Sequence, residues 1–171
     1  ALARHGCLVF FCEPPWATDF PPGFHAVADR VFVVRAPLTQ LRRIQSPVVF
    51  ALVYNLAALA QLDNARVVYE YIDELDVFPG DPRVLRENHA RMVEQATMVV
   101  ATAERLLQKV CVVRADAVLC PNGVDYAFVR RGVSATCEPP GDMLPFLSSD
   151  SCIVGYYGAL AEWFDYDLVA E

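Results

Sequence analysis

The sequence predicts an α/β fold built on a parallel, doubly wound sheet. Three observations carry this expectation. Apolar strands and helical patterns alternate as strand–helix–strand twice in a row between residues 67 and 120, the signature of parallel strands joined by right-handed crossovers. Hydrophobic residues make up 55% of the 171 residues, enough for strands buried on both faces beneath helices. The stretch Val67-Val68-Tyr69-Glu70-Tyr71-Ile72 is β-branched and aromatic, and it runs into the acidic Asp73-Glu74-Leu75-Asp76. A Pro79-Gly80 turn follows, then Asp81 as helix N-cap and Pro82 at the first helical position. Carboxylates thus stand where a strand ends and a helix begins, the edge at which open α/β sheets bind ligands. A plain acidic surface loop is the competing reading.

In chain order, residues 1–6 read as the last turn of a helix, with Gly6 just past its end. Residues 7–12 are a continuous apolar strand, ended by Glu13-Pro14-Pro15-Trp16. The opening helix has no start signal, so the chain reads as truncated there, with a preceding strand missing. Residues up to Gly23 read as loop, 29–35 as a second strand, 38–44 as about one helical turn, and 48–54 as a third strand. A short helix from Leu56 reaches Gln61, and Asp63-Asn64 turns the chain into the central strand. The helix from Pro82 to about Ala96 places Leu85, His89, Met92, Val93 and Ala96 on one face. His89 reads as packed at the helix edge, and a catalytic histidine is the alternative. Residues 98–101 form a strand, Thr102 caps a helix over 103–110, and 117–120 form a strand ended by Pro121-Asn122-Gly123. Residues 137–150 lack periodicity, hold Pro, Gly and Ser, and read as a linker. Residues 151–157 begin a fresh strand, Gly155-Tyr156-Tyr157-Gly158-Ala159 turns it, and a helix starts at Leu160.

The net charge is -7 and no Lys/Arg-rich run occurs, which argues against a nucleic-acid surface. The six cysteines (Cys7, Cys12, Cys111, Cys120, Cys137 and Cys152) form no C-x-x-C pair and do not cluster with His5, His25 or His89. They read as reduced, buried small hydrophobes of a cytoplasmic protein, with no metal site. The charge-free run 44–62 approaches membrane-spanning length, but Gln45, Ser46, Pro47, Asn55 and Gln61 interrupt it. A strand followed by a helix explains it better.

Three ordered motifs stand out: V-Y-E-Y-I-D-E-L over 68–75, V-L-C-P-N-G-V-D-Y with Phe128 over 118–128, and V-G-Y-Y-G-A-L with Trp163, Phe164 and Asp165 over 154–165. Together with H-G-C-L-V-F-F-C-E-P-P over 5–15, they resemble bacterial glycosyltransferases of the GT-B fold, close to glycosyltransferase family 4 (group 1). The resemblance covers nearly the whole chain. It implies a Rossmann-like acceptor-side domain over 1–136, a linker over 137–150, and the start of a donor-binding domain over 151–171. It implies a cleft wall at Asn122, Gly123 and Asp125, and backbone approach to the donor diphosphate at Gly158 and Ala159. The acceptor side would hold Asp73 and Glu74, at least one orienting an acceptor hydroxyl. No cofactor beyond the nucleotide-sugar donor is implied. The acceptor would be a glycan, lipid or small molecule in cell-surface polysaccharide or related glycan synthesis. The enzyme would be cytoplasmic, at the inner face of the membrane through peripheral contact.

The family's main donor-site residues lie deeper in the second domain than Glu171, and Glu162 and Asp165 come too early to replace them. The chain therefore reads as truncated at this end too, and by itself is expected to transfer no sugar. Two other classes compete. A non-catalytic Rossmann-like binding module would use the same sheet without turnover. A nicotinamide-dependent oxidoreductase would want G-x-G-x-x-G after its first strand, and the sequence has none.

Overall fold

The computed structural model describes residues 2–14, 17, 19–134, 138–147, 153–156, 158–160 and 164–170. The chain divides into two compact units, Ala1–Gly123 and Val124–Glu171.

The first unit holds two sheets rather than the single sheet expected. Strands β1 (Val9–Cys12), β2 (Gly23–Ala28) and β3 (Val31–Arg35) form a sheet of order β1-β3-β2. β1 lies parallel to β3, with Phe10 opposite Phe32. Their rings stack with centroids 5.6 Å apart. β2 runs antiparallel to β3, and its first residue, Gly23, is the last of the stretch read as loop. Residues Asp29 and Arg30, expected to open β3, instead turn the hairpin, with Arg30 at φ 59°. The Ala-rich β2 has little strand propensity of its own. It is a strand because the turn lays it against β3.

The second sheet comprises β4 (Val48–Ala51), β5 (Arg66–Tyr71), β6 (Met98–Ala101) and β7 (Val118–Leu119), in that order and all parallel. Helices α1 (Leu56–Leu59), α2 (Pro82–Gln95) and α3 (Glu104–Cys111) join its strands. The chain is therefore an α/β protein with an all-parallel four-stranded sheet. β4 stops three residues early because Asn55 Oδ1 accepts the Leu52 N–H at 2.7 Å and bends the chain into a 3-10 turn, Val53–Asn55.

α2 begins where the sequence places it. Asp81 Oδ1 accepts the Arg83 N–H at 2.8 Å, and Pro82 occupies the first turn. Gly80, at φ 131°, makes the preceding turn that a side chain would strain. The far end of α2 is closed from a distance. Arg114 Nη1 donates to the carbonyls of Val93 at 2.8 Å and Ala96 at 3.0 Å. The Thr102 cap is corrected. Ala103 holds the N-cap position of α3 without a side-chain bond, and Thr102 Oγ1 donates to the Ile72 carbonyl at 2.8 Å. Thr102 closes the end of β5 against β6 instead, since its own N–H also donates to the Tyr71 carbonyl.

The core lies on one face of this sheet. Ala51, Tyr69, Tyr71, Val99 and Ala101 pack with Leu85, Met92 and Val93 of α2 and Leu106 and Val110 of α3. The register puts Val48, Phe50, Met98 and Val118 together on the other face. They remain about half exposed, Phe50 at 50%. Burial on both faces is thus not what the described residues show. The cysteines are corrected similarly. Cys7, Cys12 and Cys120 are exposed free thiols and Cys111 is half-buried, while Cys137 and Cys152 lie outside the described residues.

The second unit contains α4 (Tyr126–Ser134), α5 (Leu144–Leu147) and α6 (Tyr166–Ala170). α5 falls inside the stretch read as linker. The strand expected over 151–157 is absent from its described part, since 153–156 have no regular structure. Residues 158–160 are not helical, and Asp165 Oδ1 accepts the Leu168 N–H at 2.9 Å to start α6 later than expected. Phe164 packs between Tyr156 and Tyr166, with centroids 4.7 and 4.9 Å away. Among the described residues, no helix is long and apolar enough to cross a membrane.

Candidate functional site

Beyond the carboxyl end of β5 the chain forms a cleft of about 410 Å³. Tyr71, Glu74, Leu75, Asp76 and Phe78 line it from the strand end and its loop, with Pro82 and Arg86 of α2 and Arg105 and Lys109 of α3. That volume is within the range that holds small organic ligands. Its position follows from parallel pairing: β5 and β6 end on the same edge, so the loop after β5 meets α2 near its start and one side of α3, from Arg105 to Lys109 in its last turn.

Glu74 is the centre of its charge. Lys109 Nζ lies 2.7 Å from Glu74 Oε1 and 2.6 Å from Oε2, and Arg105 Nη2 is 3.1 Å from Oε1. The hydrogen bond from the Lys109 ammonium, aided by both cations' charge, holds the Glu74 carboxyl below the usual carboxylate range. A carboxylate so held is a weak proton acceptor and a firmly placed hydrogen-bond acceptor. Tyr71 is held the other way, its phenol raised above its ordinary value by burial first and by Glu74 next. It stays a neutral donor at the cleft floor. The Arg86 side chain makes no hydrogen bond or ion pair among the described residues, and neither does that of Asp76.

Behind Tyr71 lies His89. Its ring centroid is 4.6 Å from that of Tyr71, and its Nδ1 is 2.8 Å from Tyr69 Oη. Burial holds the imidazole below its ordinary value and pushes the Tyr69 phenol well above its own. The two groups share one hydrogen bond, its direction set by the imidazole tautomer. This is the packed histidine expected at the helix edge.

The residues singled out from sequence fare differently. Glu74 lines the cleft, whereas Asp73 turns back on the loop, its Oδ1 accepting the Glu74 N–H at 2.9 Å. Asn122 and Gly123 are exposed after β7 and do not line this cleft, and a Cβ on Gly123 would meet nothing within 4 Å. In the second unit, Asp125 Oδ1 accepts the Phe128 N–H at 2.9 Å and caps α4. A Cβ on Gly158 would sit 2.5 Å from the Tyr156 hydroxyl oxygen, the far end of an exposed side chain that can turn aside. Ala159 accepts a hydrogen bond from that hydroxyl through its carbonyl at 3.2 Å. The sequence reading missed Arg86, Arg105 and Lys109. The i, i+4 spacing of Arg105 and Lys109 puts them on one helix face, but nothing local aims that face at Glu74.

The fold so described defines an α/β class with a parallel sheet and ligand space at its carboxyl edge. Comparison with family models, curated proteins and solved structures gives no significant match. Among the described residues, no group of three His, Cys, Asp or Glu side chains is placed to hold a metal ion.

Proposed function

We propose that this chain supplies the acceptor-side wall of a glycosyltransferase that moves a sugar from a nucleotide-sugar donor to an acceptor. The all-parallel α/β sheet, compatible with a Rossmann-like fold, and the motif order of the sequence support that reading. The observation that carries it is the placement of Glu74 in a cleft at the carboxyl edge of a parallel sheet, beside the neutral phenol of Tyr71. A fixed carboxylate and a fixed donor suit sugar hydroxyls, which both donate and accept. Asp73 is the positioning residue, holding the Glu74 backbone in place. The compartment is the cytoplasm, at the inner membrane face.

The test uses the protein isolated from its natural source, assayed with a panel of nucleotide-sugars. Glu74→Gln lowers kcat by about tenfold, equal to about 1.4 kcal/mol, with little change in thermal midpoint. Asp73→Asn gives a smaller drop of the same kind. Normal kcat in Glu74→Gln, or no turnover of any donor by the wild-type protein, defeats the reading in favour of a binding module.

A further inference from the structure

We infer that the cleft at β5 binds a phosphate monoester, so that the acceptor of the proposed transfer is a phosphorylated one; this rests on the reading above. Three cations converge there from two helices: Arg86 of α2, and Arg105 and Lys109 of α3. Two carboxylates, Glu74 and Asp76, share the lining, on a chain whose net charge is -7. Among the lining residues the cations outnumber the carboxylates, three to two.

The donors are also unspent. Arg86 has no partner among the described residues. Arg105 gives one contact, to Glu74 at 3.1 Å, with 77% of its side chain exposed. Guanidinium groups present planar forks of N–H donors that match the oxygens of a phosphate. Glu74 already supplies a singly charged carboxylate to Lys109 and Arg105. A ligand carboxylate would gain little by replacing it. A phosphate monoester carries nearly two charges at neutral pH and three strong acceptor oxygens, so it competes for both cations and engages Arg86 as well. The ester's oxygens share Lys109 and Arg105 with the Glu74 carboxylate, which stays placed beside Tyr71 for an acceptor hydroxyl.

The experiment titrates the chain with glucose 6-phosphate by calorimetry, with glucose, glucuronate and inorganic phosphate as the other arms. Glucose 6-phosphate binds saturably and weakens as salt is raised. Glucose and glucuronate bind at least about tenfold more weakly, and inorganic phosphate falls between them. Arg86→Ala weakens glucose 6-phosphate about tenfold, and because Arg86 is exposed and unpaired, the variant keeps its thermal midpoint. Glu74→Gln tightens binding, since it removes the internal competitor for Lys109 and Arg105. The inference is overturned by no saturation up to about 10 mM, by equal binding of glucose or glucuronate, by phosphate alone binding as well as the ester, or by an unchanged affinity in Arg86→Ala. Because no donor is present, these outcomes are read separately from turnover: the cleft can fail to bind phosphate while the transfer assay succeeds, and the reverse.

Discussion

The two sheets of the first unit are built from similar strands and end in different states. β1 reads Val-Phe-Phe-Cys and β4 reads Val-Val-Phe-Ala. The four-stranded sheet seals Tyr69, Val99 and Ala101 almost completely beneath α2 and α3. The three-stranded sheet has only Val33 and Val34 buried, and Phe11 is 62% exposed. Strand hydrophobicity is thus not what decides burial. A 14-residue helix with an apolar face covers β5 and β6, whereas the segments between β1, β2 and β3 contain no helix among the described residues. Apolar area leaves water only when another layer is there to receive it.

The largest expected effect tests that contrast directly. Met92→Ala, at the α2 contact with the sheet, destabilises the protein by about 3 kcal/mol through lost contacts and a cavity. Phe11→Ala, on exposed β1, costs under about 0.5 kcal/mol. Urea unfolding of both variants measures the difference, and equal costs would erase the distinction between the sheets. Asp81→Ala comes next, at about 1 kcal/mol, because it opens the first turn of the covering helix. Glycine at the same position should recover most of that loss.

The smallest effect sharpens the comparison by pH. Burial lowers the His89 imidazole from its ordinary value of 6.5, so the unfolded chain accepts a proton that the folded core resists. Its contribution is intact above pH 6.5 and is lost as pH falls through the folded value. Thermal midpoints of the wild type should therefore fall more steeply on acidification than those of His89→Gln. Parallel curves would show that the histidine does not titrate with unfolding. Glu74 acts at a lower pH, since its carboxyl is also held down; its stabilising contribution stands above its ordinary value of 4.5 and disappears below the folded one.

The sequence by itself determined what short-range chemistry decides. The β-branched and aromatic run 67–72 forms a strand, Arg66–Tyr71, and Asp81-Pro82 starts a helix whose apolar face includes Leu85, Met92 and Val93. The same local logic placed Glu74 at a strand's carboxyl end. Tertiary structure alone decided the rest. β2 exists through its pairing with β3, Thr102 serves the end of β5 rather than its own helix, and Arg114 closes α2 from 18 and 21 residues away. The charge cluster has the same origin, since Lys109 meets Glu74 across 35 residues only because β5 and β6 lie side by side and parallel. Propensity, capping and periodicity act within about one or two helical turns, whereas the partner of a charge is chosen by which strands become neighbours.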